Sequence, residues 1–180
     1  MGLRSSNTTA VFFRDLRLPP DALLGEEGTG FAYALAVLDG GRLGVGAQAC
    51  GIARTALAHA RRYARQRSQF GRAIAEFQAI QFKLADMATQ LAAARALLHE
   101  AARRKDAGED VTQWASMAKL FAGEMVMRVT TEAVQVFGGY GYMRDYPVEK
   151  LMRDAKVITI YEGTSEIQRM VIARQLLSHP

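Results

Sequence analysis

Apolar residues recur at every third or fourth position over long stretches of the chain. Ile80, Leu84, Met87, Leu91, Ala94, Leu98 and Ala101 form one such stripe. This spacing follows a 3.6-residue turn and predicts an amphipathic helix from about Phe77 to Ala107. Gly108 ends it, just after Arg103, Arg104 and Lys105, cations that suit a helix C-terminus. A second stripe is Trp114, Ala118, Phe121, Met125, Val129, Ala133 and Val136. It predicts a helix starting near Asp110 to Thr112, both good capping residues, and stopping at Gly138 and Gly139. A third stripe, Val45, Ala49, Ile52, Ala56, Ala60 and Tyr63, predicts a helix from about Gly30 to Gln66. Two shorter helices are expected, from Val148 to about Lys156 and from Ser165 to about Leu177. The second carries Ile167, Met170, Val171 and Leu176 on its apolar side.

The prolines are Pro19, Pro20, Pro147 and Pro180, so none interrupts the stretch from Asp21 to Tyr146. Three helices of about 30 residues would each be roughly 45 Å long. Helices of that length pack nearly antiparallel. The expected fold is therefore all-α, an antiparallel four-helix bundle. The first 28 residues differ. Thr8 to Phe13 is β-prone, and Leu16 to Leu18 continues an extended run up to Pro19. One or two strands make no stable sheet alone. Residues 1–28 are thus expected to be a short β remnant and linker, and residues 29–180 the helical bundle domain.

Glycines change the picture of the first long helix. Gly40, Gly41, Gly44, Gly46 and Gly51 lie inside it, and each costs about 1 kcal/mol relative to alanine. They point to close backbone approach, by another helix or by a ligand.

Composition narrows the classes. Of 180 residues, 49% are hydrophobic and 23% charged, which excludes a disordered chain. No apolar run approaches the ~20 residues of a membrane helix, and residues 1–14 show no signal-peptide pattern. Cys50 is the single cysteine, so neither an internal disulfide nor a cysteine metal site is expected. His59, His99 and His179 are scattered, and no metal-ligand spacing occurs. A reducing, cytoplasmic setting fits. The net charge is +5, carried by 18 Arg against 5 Lys. Arg61, Arg62, Arg65, Arg67 and Arg72 admit a solvated helix face, a bound phosphate or an RNA surface.

Three segments could carry chemistry. In Ile160 to Gln168 (IYEGTSEIQ), Glu162 stands just before a helix start that Thr164 or Ser165 would cap. It is either a favourable acid near a positive helix N-terminus or a general base held out of water. In Gln135 to Gly141 (QVFGGYG), glycines at a helix end expose backbone or simply cap. In Arg67 to Gly71 (RSQFG), an arginine sits beside an aromatic residue.

Taken together, LPPDALLGEEGTGF, LDGGRLGVGAQACGIA, RSQFGRAIAEFQAIQFKLADMA, QVFGGYGY, YPVEKLMRDAK and IYEGTSEIQR resemble the acyl-CoA dehydrogenases. The likeness is greatest to short-chain and short/branched-chain members. It covers essentially the whole chain: residues 1–28 resemble the end of the family's middle β-domain, and the rest its C-terminal helical domain. The resemblance implies oxidation of the Cα–Cβ bond of an acyl-CoA thioester. A carboxylate removes the α proton and a hydride passes from Cβ to FAD.

By this likeness Glu162 is the catalytic base, and its own backbone N–H helps to polarise the thioester oxygen. Some relatives carry the base on the first long helix; that position here is Gly41, which cannot serve. Asp39, Arg42 and Gly163 become substrate-side candidates. Arg67, Phe70, Gln78, Gln135, Gly138 and Gly139 match residues that contact a neighbouring subunit's FAD. Thr164 and Glu166 match residues lining the chain's own FAD. The resemblance also implies a homo-oligomer, dimer or tetramer, with an electron-transfer flavoprotein as acceptor, and neither nucleic acid nor membrane as partner. Family subunits are roughly twice this length. The chain is therefore expected to be a C-terminal part, inactive or nearly so alone. A non-catalytic helical oligomerisation module and an acyl-CoA oxidase are the competing readings.

Overall fold

The structure is a computed structural model, and it describes residues 1–178; His179 and Pro180 lie outside the described residues. Helix α1 spans Gly30–Gln66, α2 Gln78–Asp106, α3 Thr112–Phe137, α4 Val148–Ala155 and α5 Ser165–Ser178. The three long helices match the proline-free stretch and its stripes. Gly108 takes a left-handed φ of 77°, letting its N–H reach the Lys105 carbonyl at 3.0 Å while Glu109 bonds that of Arg104 at 3.1 Å. These are the bonds by which a glycine closes a helix. At the start of α3, the Asp110 carboxylate accepts the Thr112 N–H at 2.9 Å.

A short ribbon joins α1 to α2. Strands β1 (Ser68–Gln69) and β2 (Arg72–Ala73) pair antiparallel, Ser68 opposite Ala73 and Gln69 opposite Arg72. The two turn residues, Phe70 and Gly71, have φ of 52° and 79°. Two left-handed central residues define the type I′ hairpin, whose twist matches that of its strands. The sequence shows no Asn-Gly or Asp-Gly there, which is why the hairpin was not expected.

Short connections make α2 antiparallel to its two neighbours. Side-chain contacts then set α1 and α3 parallel. Arg42 bonds Ser116 near the start of both helices, and Tyr63 stacks on Phe137 near the end of both, with ring centroids 4.0 Å apart. Buried alanines line this interface: Ala49, Ala53, Ala56, Ala60 and Ala64 on α1, and Ala115, Ala118, Ala122 and Ala133 on α3. Alanine rather than glycine brings these backbones close. A Cβ on Gly44 or Gly51 would meet nothing within 4 Å, one on Gly46 would lie 3.1 Å from Leu98 of α2, and those on Gly40 and Gly41 would come within 2.6 Å of the ends of the Lys105 and Glu162 side chains.

The α3 stripe is buried at Ala118, Met125, Val129, Ala133 and Val136, but not every apolar position is covered within the chain. Phe121 on α3 is exposed, as are Ile167, Met170 and Leu176 on α5. Helix α5 instead buries Ser165 and Gln168, because Gln168 must reach the polar turn before the helix.

Thr8 to Phe13 forms no strand among the described residues, and Phe12 and Phe13 stand exposed. A β-prone segment needs a partner strand to pair with, and none lies beside it. The N-terminal residues are held elsewhere. The buried Asp154 carboxylate accepts the Leu3 N–H at 2.7 Å, Arg153 donates to the Met1 carbonyl at 2.9 Å, and Gly2 lies directly on the α4 backbone. No helix among the described residues is long and apolar enough to cross a membrane.

Candidate active site

The residues singled out in the sequence gather at two opposite ends of the bundle. The first cluster forms where α4 runs through a 3-10 turn (Lys156–Thr159) into α5. Between them Glu162 and Gly163 are both left-handed, with φ of 55° and 88°. For a glutamate that conformation costs roughly 1–2 kcal/mol, so surrounding contacts must impose it. Gly163 has a second reason to lack a side chain: a Cβ would lie 2.6 Å from Gln168 Nε2.

Buried donors hold the turn's carbonyls. Gln168 Nε2 donates to the carbonyl oxygens of Glu162 and Gly163, each at 3.1 Å. Lys119 Nζ donates to the Gly163 carbonyl at 2.5 Å. Lys119 comes from α3 and is fully buried, as is Gln168. Burial first, and then the nearby Arg42 charge, push the Lys119 ammonium below its ordinary value; Glu162 and Glu166 act in the opposite sense.

The Glu162 carboxylate lies against Gly41 of α1. A Cβ on Gly41 would come within 2.6 Å of Glu162 Oε2. That oxygen is buried and has no hydrogen-bond partner. One residue along α1, the buried Arg42 pairs with Asp39 at 2.6 Å and donates to Ser116 Oγ at 3.2 Å. Thr112 Oγ1 donates to the other Asp39 oxygen at 3.0 Å. The Arg42 Nε, Ser165 Oγ and Gln168 Oε1 atoms are also buried without partners. Buried polar atoms are nearly always paired, so four orphans mark a place prepared for something polar. Beyond the turn, the Thr164 hydroxyl accepts the Ile167 N–H at 3.3 Å and caps α5. The exposed Glu166 carboxyl is held below its ordinary value by its own backbone N–H and by the Thr164 hydroxyl. Tyr161 donates its hydroxyl to Gln48, and burial pushes its phenol up.

At the other end, Arg67, Phe70, Gln135, Gly138 and Gly139 line one cavity of about 620 Å³. Arg67 stacks over Tyr140, 5.3 Å from the ring centroid. Phe70 projects from the hairpin tip, 93% exposed, its edge toward Phe77 at 6.1 Å. Nothing stands within 4 Å of a Cβ built on Gly139. Gln78 opens α2 beside Phe77 but does not line the cavity. Among the described residues no cluster suited to a metal ion occurs.

The structure thus joins Asp39 and Arg42 to Glu162, and joins Arg67 to Gln135 and Gly138. It keeps the two groups apart, because Gly41 and Arg67 are separated along α1 by about 1.5 Å per residue, roughly 39 Å. Lys119, Ser116, Thr112 and Gln168 were missed in the sequence. Lys119 had a signal: it follows Ala118 and precedes Ala122 on the face of α3 that should be apolar.

The family model described as "Acyl-CoA dehydrogenase, C-terminal domain" matches residues 28–177. A short-chain specific acyl-CoA dehydrogenase of Megasphaera elsdenii is 54% identical over 177 residues, covering 98% of this chain and 46% of its own length. Among solved structures, butyryl-CoA dehydrogenase from Megasphaera elsdenii superposes with a TM-score of 0.90 at 55% identity, covering 92% of this chain and 43% of that one. A chain in the structure of the electron transferring flavoprotein of Acidaminococcus fermentans gives the same TM-score of 0.90, identity of 55% and coverage of 92% and 43%. The chain spans about half the length of the curated relatives it matches.

Proposed function

The chain belongs to the acyl-CoA dehydrogenase family, and from that premise we propose that it is the base-bearing C-terminal part of an FAD-dependent enzyme that dehydrogenates an acyl-CoA thioester between Cα and Cβ. One observation carries the reading: the Glu162 carboxylate, with a buried and unpartnered oxygen, held against the bare backbone of Gly41. Fixing a carboxylate in position removes the cost of orienting it toward the proton it takes. Glu162 takes the α proton onto its carboxylate. The β hydrogen leaves with its electron pair, and the pair from the broken Cα–H bond becomes the new double bond. When bound, FAD supplies the acceptor for that hydride.

The residues present fit such a group. The Arg67 guanidinium suits a pyrophosphate, and the space beside Gly139 admits bulk. Phe70, Gln78, Gln135 and Gly138 extend that side, and Thr164 and Glu166 frame the other. Asp39, Arg42 and Gly163 orient the thioester. The Glu162 backbone N–H polarises its oxygen, as a donor aimed where charge develops.

The separation between the two ends supports a homo-oligomer. Glu162 and Arg67 are too far apart to hold the same part of one dinucleotide. Arg67 and Gln135 therefore serve the cofactor at a neighbouring copy's Glu162. The exposed Phe121 of α3 and the apolar side of α5 supply surface for that assembly. An electron-transfer flavoprotein is the proposed acceptor, supported by the similar chain in the Acidaminococcus fermentans structure. A second reading concerns the chain by itself: because it spans only 46% of the Megasphaera relative, alone it is a helical assembly module without turnover.

The test fuses this chain to the N-terminal half of the Megasphaera elsdenii relative, loads it with FAD and follows butyryl-CoA-dependent dye reduction. Turnover is expected, with a loss of about 10³-fold in Glu162→Gln. Full turnover in that variant sinks the base assignment. Flavin absorbance and size-exclusion chromatography of the unfused chain test the second reading, which expects a colourless oligomer.

A further inference from the structure

Lys119 has no part in the chemistry just described, yet it is a completely buried cation. Burying a lysine is costly unless it is paired and hydrogen-bonded. Its Nζ makes one hydrogen bond, to the Gly163 carbonyl at 2.5 Å. That carbonyl also accepts from Gln168 Nε2 at 3.1 Å. It belongs to the second of two consecutive left-handed residues. A turn of that kind relaxes unless its peptide planes are pinned, and relaxation would swing the preceding side chain, Glu162, away from Gly41. The charged groups around Lys119 come from every side: Arg42 on α1, Glu162 in the turn and Glu166 on α5. The cation is thus also placed to attract the carboxylate whose backbone it pins.

We propose that Lys119 is a positioning residue, which through its bond to the Gly163 carbonyl holds the turn in its left-handed form and so keeps the Glu162 carboxylate against Gly41. This rests on the reading of Glu162 as the base. The lysine touches neither substrate nor cofactor. It works from behind, on α3, where its neighbours Ala118, Ala122 and Gly123 are buried.

The experiment compares the chain with Lys119→Met, which keeps the bulk of the side chain and removes the donor and the charge. In nuclear magnetic resonance spectra the Overhauser contact between the Glu162 methylenes and the Gly41 α-protons is expected to vanish. The ring contacts between Tyr63 and Phe137, at the far end, are expected to persist. In the flavin-loaded fusion the same variant is expected to lower kcat about 100-fold with KM within about threefold, the signature of a displaced catalytic group. Lys119→Gln, whose amide ends one bond short of the carbonyl, should weaken the contact in the same sense. An unchanged Gly41–Glu162 contact in a folded Lys119→Met chain overturns the proposal. So does loss of fold in both variants, since Lys119 is then a core residue and no more. The outcome separates from that of the base assignment. If Glu162→Gln keeps full turnover while Lys119→Met still frees the turn, the base assignment falls and the positioning role stands.

Discussion

The two ends of the bundle are built on opposite plans. At the Glu162 end the protein is closed upon itself: Arg42, Lys119 and one oxygen of the Glu162 carboxylate are buried, and a methyl group on Gly41 would strike that carboxylate. At the Arg67 end the protein is open. Phe70 is 93% exposed, and the space beside Gly139 is empty for 4 Å. Both ends use glycine and both use a left-handed non-glycine residue, Glu162 or Phe70. In one case the glycine makes room for a group of the same chain. In the other it leaves room for something brought from outside. On the proposed function the difference follows: a base at Glu162 has to be set in place before substrate arrives, whereas the Arg67 end needs only to be shaped for what it receives.

The largest effects should fall on this contrast directly. In the flavin-loaded fusion, Glu162→Gln is expected to cut kcat between about 10²- and 10⁴-fold with no change in flavin content. Arg67→Ala should do the reverse, weakening flavin retention about tenfold while turnover per bound flavin is kept, a change of about 1.4 kcal/mol. Flavin absorbance after gel filtration, set beside dye reduction, reads both. Equal loss of flavin in the two variants would erase the distinction.

Alanine at the glycines probes the same contrast through stability and turnover. Gly41→Ala pushes aside the Glu162 carboxylate, the far end of a flexible side chain, while alanine gains about 1 kcal/mol in the helix. Urea unfolding should therefore shift by less than about 1 kcal/mol, and the flavin-loaded fusion should instead lose turnover about tenfold or more. Gly139→Ala should stay within about 0.5 kcal/mol of the parent. A Gly41→Ala fusion with full turnover would mean that the place of the carboxylate against α1 does not matter.

Asp154 sharpens the comparison from a third place, as a buried carboxylate whose partners lie within the chain. Burial pushes its carboxyl up, but Lys150 and the Leu3 N–H outweigh this and hold it below the ordinary value of 3.8. The folded state therefore binds its proton less readily than the unfolded chain. The stability this lends is present above about pH 4 and is lost as pH falls through the lower folded value. Asp154→Asn should flatten that acid limb and cost about 1–3 kcal/mol near neutral pH. Denaturant melts at stepped acid pH check it.

The smallest effect concerns Lys119. Burial and Arg42 lower its ammonium below 10.5, so the unfolded chain holds that proton more tightly. Stability should then rise with pH through the window between the folded value and 10.5, and Lys119→Met should remove the rise. Alkaline denaturant melts of the two chains decide it.

Much of this was legible before the structure. The stripes located all three long helices, and the glycines after α2 and α3 mark their ends. Glu162, Arg67 and Gln135 stood out through their immediate neighbours. What was not legible has physical causes. The hairpin at Phe70 and Gly71 lacks the usual turn residues. Phe121 and the apolar side of α5 are exposed in the chain, since periodicity says only that a face is apolar, not which molecule covers it. Lys119 interrupted a buried stripe, and its role depends on a turn far away in sequence.

The amino-acid sequence by itself determined where helices begin and end, because those choices are made among residues within about four positions, through backbone bonds, glycine and periodic burial. It also determined which side chains could act as acid, base or anion holder. Only the tertiary structure decided that Gly41 faces Glu162, that Lys119 stands behind the same turn and that Arg67 lies at the other end. Those meetings follow from the parallel setting of α1 and α3 and from the packing between their buried alanines. They are long-range properties of the assembled bundle, and no local pattern encodes them.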